Sequence, residues 1–477
     1  MKIAFVVQRY GTEILGGAEY LCRLVAERFA VRHQVDVLTT CARDYITWAN
    51  DYPEGPDRLR GVTVRRFATS RTRDLASFNR LSEKLYHERH TPQDELEWLK
   101  QQGPWAPGLI DYLERHQQNY DVIVFFTYLY APTVLGIKIA PSKSVLVPTA
   151  HDEPPIHFQM YRDVFAGAAA IAWNTDAERR FVSSAFQLRT VAEDVIGCGV
   201  ELPEGEAMVE GEREADSDGV REPLPAHIEG PANAFRRRHR MHEPFALYGG
   251  RIDAGKGCEE LFEYFRAYVQ EGGNTTLMLM GVKMMPLPED PHVRFAGTLP
   301  DEERFRAIEA ASVVIVPSPH ESLSLLALEA MAVGTPVLVN GRSEVLVEHC
   351  RRSNAGLYYT DRWDFTEALK LLMKDAHLRA AMGRNGKAYV NKHYRWSSVL
   401  RKYERLFQAV TGTVAAPAEQ VREHVPAYRS DRSGRGDRGG RGDRHERGDR
   451  PRGQDRNRDR QRSRGQDRNR GRRPKAQ

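Results

Sequence analysis

The chain has 477 residues, of which 41% are apolar and 28% charged, with a formal net charge of +5. That length exceeds one ordinary core and suits two domains with additions. No run of about 18 apolar residues predicts a membrane span. The five cysteines, Cys22, Cys41, Cys198, Cys258 and Cys350, are odd in number and scattered without a C-x-x-C spacing, which argues against a disulfide framework or structural zinc and predicts reduced thiols.

The charge is uneven. Residues 429–477 hold 18 Arg and one Lys against seven Asp and one Glu, which puts +11 on that tail and −6 on the rest of the chain. The part that would meet a polyanion is thus the tail, not the apolar-patterned remainder.

In chain order, residues 2–8 are an apolar run that predicts a buried strand and lacks the long apolar core of a signal peptide, so a cytoplasmic location is expected. A glycine-bearing loop follows at 11–17, then a helix over 18–30 with Leu21, Leu24, Val25 and Phe29 at helical spacing. Further strands are predicted at 35–39, 62–67, 122–126, 144–148 and 169–173, with helical patterns between many of them. Residues 71–119 form a mostly helical insertion. Its aromatics, Tyr86, Trp98, Trp105 and Tyr112, either pack it onto its own domain or line an acceptor pocket.

Residues 204–232 are rich in Glu, Asp, Gly and Pro and predict a flexible acidic linker. A second alternating series follows. Strands are expected at 245–248, 276–280, 293–296, 313–316 and 336–339. Helices are expected at 258–271, 301–310, 323–332, 343–349, 364–374, 377–392 and 397–410. Strands alternating with helices predict parallel sheets covered on both faces. The expected fold class is therefore α/β, with two Rossmann-like doubly wound domains (1–203 and 233–410) facing a cleft. Beyond 411 the repeated R-G-D, R-G-G and D-R-N-R units predict a disordered tail.

Chemistry concentrates in the second domain. The strand F-A-L-Y leads into G-G-R-I-D-A-G-K-G, where Arg251 and Lys256 flank a glycine-rich turn. Ligands of open α/β sheets bind at such carboxyl ends. Glycines admit a phosphate close to the backbone, and the two cations offset its charge. Next comes P-S-P-H-E-S-L-S-L-L-A-L-E-A-M-A-V-G-T-P-V-L, with Glu321 at the mouth of a helix and Glu329 about two turns later. The free backbone N–H groups around Ser324 and Leu325 favour an anion. Glu329 stands among Leu325, Leu326, Leu328 and Met331, and a carboxylate buried there needs a partner; the alternative is an exposed helix face. In the first domain, Gly16 and Gly17 open a helix in G-G-A-E, either to admit a phosphate or acceptor or merely as a tight turn. V-P-T-A-H-D-E places His151 after a strand.

These segments resemble the retaining glycosyltransferases of family 4, of the GT-B type, over residues 1 to about 410. The resemblance rests on G-R-x-x-x-x-K-G and on the E-x7-E segment ending in E-A-M-A-x-G-x-P-V. It implies a glycosyl group moved from a UDP- or GDP-linked sugar to an acceptor glycan or glycolipid, with retention at the anomeric carbon. It also implies no metal and no cofactor beyond the nucleotide sugar as co-substrate. Arg251 and Lys256 would hold the diphosphate, Glu321 would face the transferred sugar, Glu329 would take the ribose, and His151 would approach the sugar from the other domain. Ser324 stands where the family often has Gly, and N-G-R-S-E replaces its usual second glycine pair. Three alternatives stay open: a nucleotide-sugar epimerase of related fold, nucleic-acid binding through the Arg/Gly tail, and peripheral contact with the inner membrane face.

Overall fold

The computed structural model describes residues 1–14, 16–186, 188, 192–200 and 231–412. Of the acidic linker expected at 204–232 only the last two residues fall among them, and of the basic tail only Thr411 and Gly412.

The first sheet comprises β1 (Lys2–Val6), β2 (Gln34–Thr40), β3 (Gly55–Leu59), β4 (Val62–Phe67), β5 (Val122–Phe126), β6 (Ser144–Val147), β7 (Ala170–Trp173) and β8 (Ala192–Val195). Its order is β3-β4-β2-β1-β5-β6-β7-β8. The second comprises β9 (Phe245–Gly249), β10 (Thr276–Met280), β11 (Val293–Phe295), β12 (Val313–Val316), β13 (Val337–Asn340) and β14 (Gly356–Tyr359), in the order β11-β10-β9-β12-β13-β14. The second sheet is parallel throughout. The two doubly wound α/β lobes are those expected from the alternating pattern.

The central strands are continuous apolar runs because helices cover both faces. In β1, Ile3 and Phe5 join one core cluster while Ala4 joins the opposite one, as a two-residue side-chain period requires. The first sheet departs from expectation at its edge. β3 pairs antiparallel with β4 through a two-residue turn in which Arg60 and Gly61 both have positive φ, 47° and 85°. That is the backbone twist a tight hairpin needs. Pro56 is tolerated because β3 is an edge strand. The other strands the pattern left out, β8 and β14, are also edges; β8 has two acidic residues among its four, and β14 is short, opens on Gly356 and leaves Tyr358 exposed.

The insertion is three helices, Leu75–His87, Pro92–Gln102 and Pro107–His116. Trp98 is fully buried and its Nε1 donates to Ser82 Oγ at 2.8 Å, while Tyr86, Trp105 and Tyr112 pack against the same core. These aromatics seat the insertion on its own lobe.

The last described helix, Trp396–Thr411, was expected to close the second domain. It lies instead on the first sheet, against β7 and β8. Its buried stripe, Val399, Tyr403, Leu406 and Phe407, needs an apolar surface, and Tyr403 and Phe407 find one at Phe29. The first lobe is thereby built from both ends of the described chain. No described helix is long and apolar enough to cross a membrane.

Candidate active site

In the second sheet the strand order reverses between β9 and β12, which lie side by side. Loops leaving the carboxyl ends of such a pair diverge and leave a crevice between them. The two motifs singled out in the sequence are these two loops. Gly257 makes their approach possible. Its φ is +74°, and a Cβ there would stand 2.3 Å from Pro317 O on the neighbouring loop. Asp253 organises the first loop from within. One carboxylate oxygen accepts the Lys256 N–H at 2.8 Å, and the other pairs with Arg251 Nε at 3.4 Å. Lys256 Nζ then reaches Glu321 Oε1 of the second loop at 2.7 Å.

The helix after that loop runs over Leu325–Val333, two residues later than expected, so Glu329 sits about one turn inside it. Its N-cap is Ser324, held at φ 63° and ψ 79°, and no side chain caps this end. The first-turn N–H groups are therefore not met by a capping side chain, the arrangement that favours an anionic group. The positive φ at Ser324 also accounts for a position where glycine would be at ease.

Glu329 is buried, only 4% exposed, and its carboxylate is engaged by Arg304 from the Asp301–Ala310 helix. The same guanidinium reaches Tyr20 Oη of the first lobe at 3.4 Å. Burial would lower the Arg304 pKa, but the charge and hydrogen bond of Glu329 outweigh it and hold the guanidinium firmly protonated. The exposed-face reading of Glu329 is thus excluded, and its partner is a cation that the sequence reading did not name.

From the first lobe, His151 leaves the end of β6 on a loop whose Thr149 has φ 51°. Its Nε2 lies 3.5 Å from Glu153 Oε2, and Tyr128 Oη donates to Glu153 Oε1 at 2.6 Å. The His151 ring stacks on His320 of the second lobe, with centroids 5.5 Å apart and planes at 27°. Burial acts to lower the His151 pKa. Glu153, by hydrogen bond and charge, and Glu321, by charge, act the other way and leave it raised. For His320, burial and the neighbouring His151 both push down.

Gly16 is the N-cap of the Gly17–Phe29 helix in an ordinary extended conformation. A Cβ on Gly16 would meet the Glu19 carboxylate at 2.2 Å, whereas one on Gly17 would meet open space. Glu19 itself is buried and takes two hydrogen bonds from Arg9, at 2.9 and 2.7 Å. The opening lies beside Tyr20, and so beside Arg304. Arg251 also makes a cross-lobe contact, its guanidinium lying 5.5 Å from the Tyr45 ring centroid. Lys256 and Glu321 thus meet directly, with Arg251 on the same loop as Lys256 and Ser324 and Leu325 just after Glu321; His151 reaches this loop pair through His320, while Glu329 and the Gly16–Gly17 corner are joined to each other through Arg304 and Tyr20. Among the described residues no group of three or more His, Cys, Asp or Glu could hold a metal ion.

Residues 231–389 match the family described as Glycosyl transferases group 1. This part of the chain is similar to the group 1 glycosyltransferases. Among curated relatives, a D-inositol 3-phosphate glycosyltransferase of Corynebacterium kroppenstedtii is 34% identical over 121 residues, 25% of this chain and 26% of that protein. The matched stretch spans only 26% to 44% of the first four such relatives. An uncharacterized glycosyltransferase of Methanocaldococcus jannaschii is 22% identical across 86% of this chain and 98% of its own length. Of solved structures, the sucrose-phosphate synthase of Thermosynechococcus elongatus superposes with a TM-score of 0.60 at 17% identity, covering 87% of this chain and 100% of that one. Anabaena HepE in complex with UDP and glucose gives 0.60 at 16% identity, over 86% and 100%. These likenesses carry the fold, and the fold is GT-B.

Three residues were missed in the sequence. Arg304 shares a helical face with Ala307 and Ile308, so its cation is directed at the core; that i, i+3, i+4 spacing was the available signal. Thr175 and Glu178 form T-x-x-E, the spacing of a capping box. Thr175 does cap the Asp176–Ala185 helix by accepting the Glu178 N–H. The Glu178 carboxylate, however, turns to Ala150 N–H and Asn174 N–H, each at 2.6 Å. Burial pushes its pKa up to about 8, against which those hydrogen bonds pull only partly back. Asn174 lies at this corner, whereas Arg179, on the next turn of chain, pairs locally with Asp176.

Proposed function

We propose that this protein is a retaining glycosyltransferase of family 4. It would move a glycosyl group from a nucleotide-diphosphate sugar, UDP-linked in the first instance, to a hydroxyl of an acceptor glycan or glycolipid. One observation carries the reading. At the β9/β12 switch point, Arg251, Lys256, an uncapped helix start and Glu321 converge on one crevice. Two cations and free N–H groups suit a diphosphate, and a carboxylate beside them suits sugar hydroxyls.

In this reading Arg251, Lys256 and the N–H groups at Ser324 and Leu325 stabilise the charge that grows on the departing diphosphate. The bond from anomeric carbon to diphosphate oxygen breaks as the acceptor oxygen bonds to the same face. The leaving diphosphate takes the acceptor hydroxyl's proton. Glu321 orients the transferred sugar, Glu329 takes the ribose hydroxyls, and His151 closes over the sugar with the first lobe. The charge stabilisation comes from protein groups, so the reaction proceeds without a metal. A structural neighbour solved with UDP and glucose supports a UDP-sugar as the first donor to try.

The test is a screen of UDP-, GDP- and ADP-sugars for thermal stabilisation, followed by acceptor-dependent release of nucleoside diphosphate with and without a chelator. Release that needs no acceptor would point to epimerase or hydrolase chemistry instead. An inverted anomer in the product, read by NMR, would remove the retaining assignment.

A further inference from the structure

Glu178 is a buried carboxylate with no role in the proposed chemistry, yet it sits directly behind His151. Its Oε1 accepts the N–H of Ala150, the residue before His151, at 2.6 Å, and its Oε2 accepts the N–H of Asn174 at 2.6 Å. Glu178 is 2% exposed. Its own N–H donates to Thr175 Oγ1 at 3.1 Å. Thr175 Oγ1 in turn donates across the lobes to Ser322 O at 3.2 Å. Ser322 follows Glu321 directly.

The direction of each bond is fixed. Ser322 O can only accept, so the single Thr175 hydroxyl proton points at it. The Thr175 lone pairs are then turned toward the Glu178 N–H. Three hydrogen bonds thus run without a gap from the His151 loop of one lobe to the Glu321 loop of the other. Thr149, two residues before His151, is held at φ 51°, an unfavourable conformation for a β-branched residue that needs outside support.

We propose that Thr175 and Glu178 are positioning residues forming an inter-lobe latch, which sets the His151 loop and the Glu321 loop in register when the lobes meet. The proposal rests on reading this cleft as the site of glycosyl transfer. In the proposed function the diphosphate is held by Arg251, Lys256 and the Ser324 and Leu325 N–H groups of the second lobe, so the latch acts mainly on turnover and little on donor binding. Exposed ion pairs lie nearby, Arg180 with Glu344 and Glu348 and Arg352 with Asp176. They join the Asp176–Ala185 helix to the Glu344–Ser353 helix and reach neither loop, and being largely exposed they contribute little.

The test compares Thr175→Val, which keeps the shape and loses the hydroxyl, with Thr175→Ser, which keeps the hydroxyl. Glu178→Gln is the third variant; its amide must turn an NH2 toward one of the two backbone N–H groups and lose that bond. Two readouts are taken on the full chain. The first is kcat and donor KM. Thr175→Val should lower kcat about tenfold, the loss of roughly one hydrogen bond's worth of transition-state positioning, with donor KM within about twofold of wild type. Thr175→Ser should recover most of it. The second is amide hydrogen exchange over residues 148–153 and 320–326, which should quicken in both segments in Thr175→Val and Glu178→Gln but not in Thr175→Ser. Unchanged exchange in Thr175→Val, or a Thr175→Ser variant as impaired as Thr175→Val, overturns the latch. If exchange responds as stated but the wild-type protein turns over no nucleotide sugar, the latch stands and the proposed function fails.

Discussion

His151 and His320 stack across the cleft, one ring from each lobe, with centroids 5.5 Å apart. The contact brings the residue expected to approach the donor sugar next to Glu321, whose side chain is already tied to Lys256 at 2.7 Å. Two strand-end loops of one sheet and one of the other therefore meet within a few side chains.

Lys256→Ala should weaken binding of a nucleoside diphosphate by about 10- to 100-fold, the usual range for one charge-assisted hydrogen bond. Titration calorimetry with UDP measures it. Because Lys256 is partly exposed and its partner is a carboxylate, the fold should survive. An unchanged affinity would remove Lys256 from the donor site.

Arg304→Leu should leave Glu329 buried without its cation and lower stability by about 2 kcal/mol. Adding Glu329→Gln should restore part of that loss, since the amide no longer carries the uncompensated charge. Urea denaturation of the two single variants and the double variant checks the non-additivity.

Ser324→Gly should stabilise the protein by up to about 1 kcal/mol, because glycine adopts the φ of 63° without the cost a Cβ imposes there. The check is thermal unfolding; a lower Tm would mean that the serine hydroxyl does more than the conformation suggests.

Glu178 makes stability depend on pH in a definite direction. Its carboxyl, ordinarily near 4.5, is pushed up to about 8 in the folded chain. Between those values the folded state binds more protons than the unfolded one, so this group's contribution to stability falls as pH rises. Glu178→Gln fixes a neutral side chain. Its Tm relative to wild type should therefore improve on going from pH 5.5 to pH 8.5, whatever the offset at either end. A constant difference would show that Glu178 does not titrate in that window.

Glu153→Gln should lower the His151 pKa, since the Glu153 hydrogen bond and charge are what raise it against burial. Proton NMR titration of the imidazole reads this directly. In the wild type the raised His151 pKa contributes stability fully below the unfolded-state value, and that contribution is lost as pH climbs through the folded value.

Much was legible in the amino-acid sequence by itself. Apolar runs separated by amphipathic segments specify β1, β5, β9 and β12 and their covering helices, because a strand buried on both faces has no other composition open to it. The G-R-x-x-x-x-K-G and E-x7-E spacings placed Arg251, Lys256 and Glu321 in strand-end loops and Glu329 in the helix that follows, since local backbone geometry sets those positions. The tertiary structure alone decided what these groups touch. Arg304 holding Glu329, His320 under His151, Tyr45 under Arg251 and Glu178 behind Ala150 join residues far apart in the chain, mostly from different elements or lobes. Side-chain periodicity reports which face is buried but not which partner meets it. The same reason explains the Trp396–Thr411 helix. Its amphipathic stripe was evident in the sequence, but the surface that buries the stripe, at Phe29 in the other lobe, exists only once the chain has folded back on itself.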